Sequence, residues 1–199
     1  RTADGLVSVT PRAVTFATES RSWVYDGAAH SWGGHAISEN TAYPLVSGHE
    51  TEVVSVTEIT NVWESPVQNV LRLRIADADG KDVTQNYEIG YEYGTLTITP
   101  RSVVIVTATD EKVYDGTPLA NGTSVASENG AYLLVEGHYT VWNGEGTLPS
   151  VTDVLYDEAQ HVIGLENVFA VHILGADGND VTKNYAIEYE YGMLTVTPR

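Results

Sequence analysis

The sequence predicts an all-β chain made of two tandem repeats, and three observations predict it. The first is self-similarity. Val24-Tyr25-Asp26-Gly27 returns as Val113-Tyr114-Asp115-Gly116, and Asp82-Val83-Thr84 through Asn86-Tyr87 to Gly94, Leu96, Thr97, Thr99 and Pro100 returns from Asp180-Val181-Thr182 through Asn184-Tyr185 to Gly192, Leu194, Thr195, Thr197 and Pro198. Recurrence on this scale marks arrays of small units. The second is a period of two: Val103, Ile105 and Thr107 alternate with Val104, Val106 and Ala108, and Leu96 and Ile98 alternate with Thr95, Thr97 and Thr99, the pattern of half-buried strands. The third is punctuation by Gly, Asn, Asp and Pro, spaced for short antiparallel strands joined by turns.

The repeat places the domain boundaries. Gly5-Leu6-Val7-Ser8-Val9-Thr10-Pro11-Arg12 reads like Gly94-Thr95-Leu96-Thr97-Ile98-Thr99-Pro100-Arg101. Residues 1–11 are therefore expected to be the end strand of a preceding repeat or a linker, with repeat domains at 12–100 and 101–199, excerpted from a longer array. Each is near the size of an independent domain, and 42% hydrophobic residues are enough to fill a core in each. The junction from Leu96 to Ile105 carries Pro100 and no Gly/Ser-rich spacer, so close coupling and a semi-rigid array are expected.

Comparing the copies separates inside from outside. Leu71, Leu73 and Ile75 correspond to Phe169, Val171 and Ile173, a core face. The interleaved Val70, Arg72 and Arg74 correspond to Val168, Ala170 and His172, a change from cationic to neutral that only a wet face tolerates. Tyr25-Asp26-Gly27 and Tyr114-Asp115-Gly116 follow strands and read as turns, with an aspartate that bonds nearby backbone and a glycine that permits positive φ. Tyr87 and Tyr185, directly after Asn86 and Asn184, are expected to be half-buried packing elements with their hydroxyls tied to backbone.

The net charge of −17 is shared, five basic against twelve acidic residues from 12 to 100 and three against fourteen from 101 to 198. Such surfaces repel phosphate backbones and anionic membranes, which argues against nucleic-acid binding and favours a monomer held apart from its neighbours. The chain has no cysteine and therefore no disulfide scaffold. It has no apolar run long enough to span a bilayer, so no membrane insertion is expected in this segment.

Candidate chemistry is sparse. Asp77, Asp79 and Asp82 could serve calcium, because clustered carboxylates on a tight loop suit a hard cation, yet the glycine is misplaced for an EF-hand and the second copy loses the first acid. Asp79-Gly80 between strands is itself a hairpin signal. His30, His35, His49 and His138 lack cysteine partners and zinc-type spacing and are expected to be isolated surface histidines. No nucleophile elbow or other catalytic signature is present, so no catalytic residue and no cofactor is assigned and a non-enzyme is expected. Lys112 raises a lesser possibility, a Lys–Asn isopeptide staple. Of the four tryptophans, Trp23, Trp32, Trp63 and Trp142, none recurs between copies. Trp32 and Trp142, in glycine-bearing segments read as loops, are the candidate ligand-binding residues.

Val-Tyr-Asp-Gly early, Asp-Val-Thr-x-Asn-Tyr late and a closing Gly-x-Leu-Thr-x-Thr-Pro, in fixed order and twice over, resemble the bacterial YDG/MBG-type repeats of large surface proteins. The resemblance covers both units almost end to end. It implies tandem Ig-like antiparallel β-sandwich modules, with a β-grasp-like module as the alternative, in an extracellular or cell-wall-attached adhesin, and it supplies no catalytic residues. The expected function is a structural stalk whose partners are neighbouring repeats. The rival is an adhesive repeat binding host protein or glycan through the loops in which the copies differ. Those loops lie around Trp142–Gly146 and between Asp153 and Asn167, where the second copy is longer.

Overall fold

A computed structural model describes residues 7–199. Its regular structure is strands and short 3-10 turns, with no α-helix among the described residues, so the chain is all-β. Residues 7–11 form no strand, and residues 1–6 of the expected end strand lie outside the described residues.

The chain divides into two compact units, one running through Trp23 and resuming over Ala28–Thr99, the other made of Val24–Gly27 together with Pro100–Arg199. The first repeat contributes β1 (Arg12–Thr18), β2 (Arg21–Val24), β3 (His30–Ser31), β4 (His35–Ile37), β5 (Glu50–Val56), β6 (Glu58–Ile59), β7 (Val67–Gln68), β8 (Leu71–Ala76), β9 (Tyr87–Glu92) and β10 (Thr95–Thr99). The second contributes β11 (Arg101–Thr107), β12 (Asp110–Val113), β13 (Ser124–Ala126), β14 (Tyr139–Trp142), β15 (Leu155–Tyr156), β16 (Val162–Ile163), β17 (Leu165–Glu166), β18 (Val171–Leu174), β19 (Tyr185–Glu190) and β20 (Met193–Thr197).

The same small sheets recur in both copies. Strand order β4-β1-β9 is matched by β13-β11-β19, β2-β10-β7 by β12-β20-β17, and β5-β8 by β14-β18. The expectation of purely antiparallel strands is corrected here. β1 runs parallel to β9, from Arg12 opposite Tyr87 to Ala17 opposite Glu92, and β11 runs parallel to β19 in the same register. β12 is also parallel to β20. Parallel neighbours need a long crossover, and nearly the whole repeat lies between the first strand and its partner. The added length of the second copy includes a hairpin in which β15 pairs with β16.

Alternation sorts the core as the copies imply. Leu71, Leu73 and Ile75 are buried with Val14, Phe16, Val83 and Tyr87 in one cluster, while Phe169, Val171 and Ile173 are buried in the second copy. Leu119, Val151, Leu194 and Val196 form a further cluster there. Val70 and Val168, on the interleaved face, are exposed.

A polar clasp recurs beside each core. Asn69 and Asn167 are completely buried. The Thr18 hydroxyl donates to the Asn69 carbonyl at 2.9 Å and accepts the Gly94 N–H at 2.9 Å, while Asn69 N–H reaches the Gly94 carbonyl and its Nδ2 donates to the Glu19 carbonyl. Thr107, Asn167 and Gly192 repeat this, with Asn167 Nδ2 donating to the carbonyls of Ala108 and Asn121 at 2.9 and 2.8 Å. The clasp joins the end of the first strand, the approach to the core strand and the corner before the last strand, satisfying backbone groups that burial would leave orphaned.

Candidate functional site

The Asp-Val-Thr-x-Asn-Tyr motif builds its own geometry. Asp82 Oδ1 accepts the Thr84 N–H at 2.9 Å, and the Thr84 hydroxyl accepts the Ile75 N–H at 2.8 Å. Asp180 and Thr182 do the same for Ile173. The threonine hydrogen bonds hold the Asp82 and Asp180 carboxyls below the usual range. A 3-10 turn follows, Thr84–Asn86 or Thr182–Asn184, and delivers Tyr87 or Tyr185 into the protein.

These tyrosines are buried rather than half-buried, each 7% exposed. The Tyr185 hydroxyl accepts the Val135 N–H at 3.1 Å and lies 2.7 Å from His138 Nδ1; Tyr87 makes the same pair of contacts with Val46 and His49. His49 and His138 are thus partners of the repeated tyrosines, which corrects their reading as isolated surface residues. The signal was in the sequence, since both follow a glycine at matching positions of the two copies.

The second unit carries a further aromatic at this place. Its segment Val24–Gly27 sets Tyr25 edge-on to Tyr185, ring centroids 5.5 Å apart, and against His138 at 6.2 Å. Tyr25 is only 3% exposed and its side chain hydrogen-bonds Asn184, which is itself fully buried. Arg101 closes the site: its guanidinium donates to the carbonyls of Leu133 and Tyr25 and lies 4.9 Å from the Tyr132 ring. Gly27 completes the turn at φ +80°, where an added Cβ would also come 3.2 Å from Val135. Asp26 on this turn is exposed. Burial pushes the Tyr25 and Tyr185 hydroxyls up, Asn184 opposing it at Tyr25 and the Val135 N–H at Tyr185.

Burial pushes His138 below the usual histidine range; Asp177 opposes this and Arg101 reinforces it. The unfolded chain therefore takes up the proton first as the pH falls, so this contribution to stability is present above about pH 6.5 and is lost below it. Chemical unfolding at about pH 7 and pH 5.5 should show stability falling more steeply in the wild type than in His138→Gln. Equal slopes would remove His138 as the cause.

The remaining candidates are not brought together. Asp77 Oδ1 accepts the N–H groups of Asp79 and Lys81, and Gly80 N–H returns to the Asp77 carbonyl, so the segment is a turn held by its first aspartate. Among the described residues no three acidic or histidine side chains are grouped to hold a metal ion. Lys112 Nζ binds Asp115 Oδ1 at 2.7 Å, the Thr117 hydroxyl and the Thr117 carbonyl. Trp142 ends strand β14 opposite Val171, which corrects its loop assignment. Trp32 does lie between strands, but it is half-buried beneath the Arg21 guanidinium at 4.2 Å and donates Nε1–H to Glu19. Trp63, on the 3-10 turn Val62–Glu64, is the more exposed, at 54%.

No family model, no curated protein and no solved structure matches the chain.

Proposed function

We propose that this chain is a non-catalytic structural module, two Ig-like sandwich repeats that act as a spacer in an extracellular, cell-surface adhesin of the YDG/MBG type. The observation that carries this is where the repeated polar side chains are spent. Thr18, Asn69, Thr84 and Tyr87, with their counterparts Thr107, Asn167, Thr182 and Tyr185, all bond backbone of their own unit. Groups recurring for chemistry would instead converge on a cleft with their hydrogen-bonding capacity left for a substrate. The acidic surface of both repeats keeps neighbouring chains apart.

One observation favours the adhesive rival: Trp63 presents a large ring to solvent in one copy only. A glycan array and an extracellular-matrix binding screen on the full chain discriminate between the two. The spacer reading expects no saturable binding. Saturable binding lost on replacing Trp63, Trp32 or Trp142 by alanine would defeat it.

A further inference from the structure

The two Tyr-Asp-Gly turns have the same sequence and different surroundings. Tyr25 is 3% exposed, whereas Tyr114 is 40% exposed and the preceding Val113 is 55% exposed. A Cβ on Gly27 would meet Val135 at 3.2 Å; one on Gly116 would meet nothing within 4 Å, although both glycines hold nearly the same φ, +80° and +79°. Tyr114 is nonetheless held in a fixed turn: its N–H donates to the Thr197 carbonyl, and Asp115 accepts the Thr117 N–H and hydroxyl and the Lys112 ammonium.

The receiving residues show the complementary difference. Arg101, Val135, His138, Asn184 and Tyr185 surround Tyr25. Their counterparts Arg12, Val46, His49, Asn86 and Tyr87 are assembled in the first unit with the same internal contacts. Arg12 donates to the Pro44 carbonyl and lies 5.0 Å from the Tyr43 ring, and the Tyr87 hydroxyl holds Val46 N–H and His49. There Asn86 is exposed, while Asn184 is fully buried.

We infer that the turn Val113–Gly116 is a plug and that the face formed by Arg12, Val46, His49, Asn86 and Tyr87 is a socket for a plug of this kind, so that another copy of this repeat, following in tandem, seats Tyr114 as Tyr25 is seated. The occupant is fixed by identity of parts: the seated plug and the exposed plug share Val-Tyr-Asp-Gly, and the filled and open sockets share Arg, Val, His, Asn and Tyr at matching positions. Tyr and Arg are, with Trp, the residue types enriched where a few side chains buried at the centre of a contact carry most of its energy. The inference deepens the spacer reading by naming the partner of the second repeat. Its test is independent, because a chain that bound glycan would still seat the plug.

The test joins a second copy of residues 13–199 directly after Arg199, so that Thr197-Pro198-Arg199 leads into the new copy as Thr99-Pro100-Arg101 does within this chain. In a doubled chain whose added copy carries Tyr114→Phe, the acetylation rate of the one remaining Tyr114 hydroxyl, mapped by peptide mass spectrometry, should fall roughly tenfold relative to the single chain, the scale of one well-packed aromatic contact. Asn86→Ala in the added copy, at a position exposed in the single chain, should restore that rate. Tyr114→Ala should leave the thermal midpoint of the single chain unchanged and lower that of the doubled chain. An equal Tyr114 rate in single and doubled chains, or equal midpoint shifts in the two, would overturn the inference.

Discussion

Gly94→Ala is expected to abolish folding of the first unit or to cost about 4 kcal/mol or more, well beyond the usual range for a point change. A Cβ at position 94 would sit 2.4 Å from the Glu19 carbonyl carbon and 2.5 Å from the Thr18 carbonyl oxygen, and both obstacles are backbone. Neither can swing aside as a side-chain end does, and moving either strand pulls the Thr18 hydroxyl from its bonds with Gly94 and Asn69. Gly192→Ala meets the same obstruction from Ala108 and Thr107. Thermal unfolding followed by circular dichroism checks this. Near-wild-type midpoints for either variant would mean that the clasp yields far more readily than its geometry implies.

Asn167→Ala is expected to destabilise the second unit by about 3 kcal/mol, because two part-buried carbonyls lose their donor and each orphan costs about 1–3 kcal/mol. The carbonyls are those of Ala108 and Asn121, and the residue is completely buried, so water does not replace the amide freely. Asn167→Leu, which restores volume but not the donors, should be no better than alanine. Urea unfolding of the two variants separates the cases: recovery with leucine would show that packing rather than hydrogen bonding is what Asn167 supplies.

Much of this fold is legible in the sequence where the physics is local or where the copies vote. Leu71, Leu73 and Ile75 declare their face by a period of two and by the tolerance of their neighbours for change. Gly27 and Gly116 mark turns because positive φ penalises any residue with a side chain. Direction of pairing is different: alternation says that β1 and β9 are strands but is the same for parallel and antiparallel partners, so the parallel ladder had no local signature. Asn69 and Asn167 were legible in principle, since an asparagine shared by both copies at the entrance to a core strand is a poor choice unless its amide is needed. The glycines after Trp142 read as a loop, whereas Trp142 itself still pairs with Val171 as the last residue of β14. The difference between Tyr25 and Tyr114 lies outside any reading of the motif, because it depends on what packs against each turn.

The parallel ladders also bear on how such a chain is synthesised. β1 cannot find β9 until almost the whole repeat has been made, and in a tandem array β19 offers a second strand that also begins with tyrosine and ends in Tyr-Glu. Exchange of these closing strands would be a route to swapped, misassembled arrays. The two strands differ at two positions, Glu88 against Ala186 and Gly90 against Glu188; Gly90 lies opposite Thr15, where a Cβ would already come within 3.2 Å of the threonine hydroxyl, whereas Glu188 lies opposite Val104. A chain that borrowed β19 for β1 would set a glutamate beside Thr15 where the native partner has no side chain, and the threonine would have to give way to admit it.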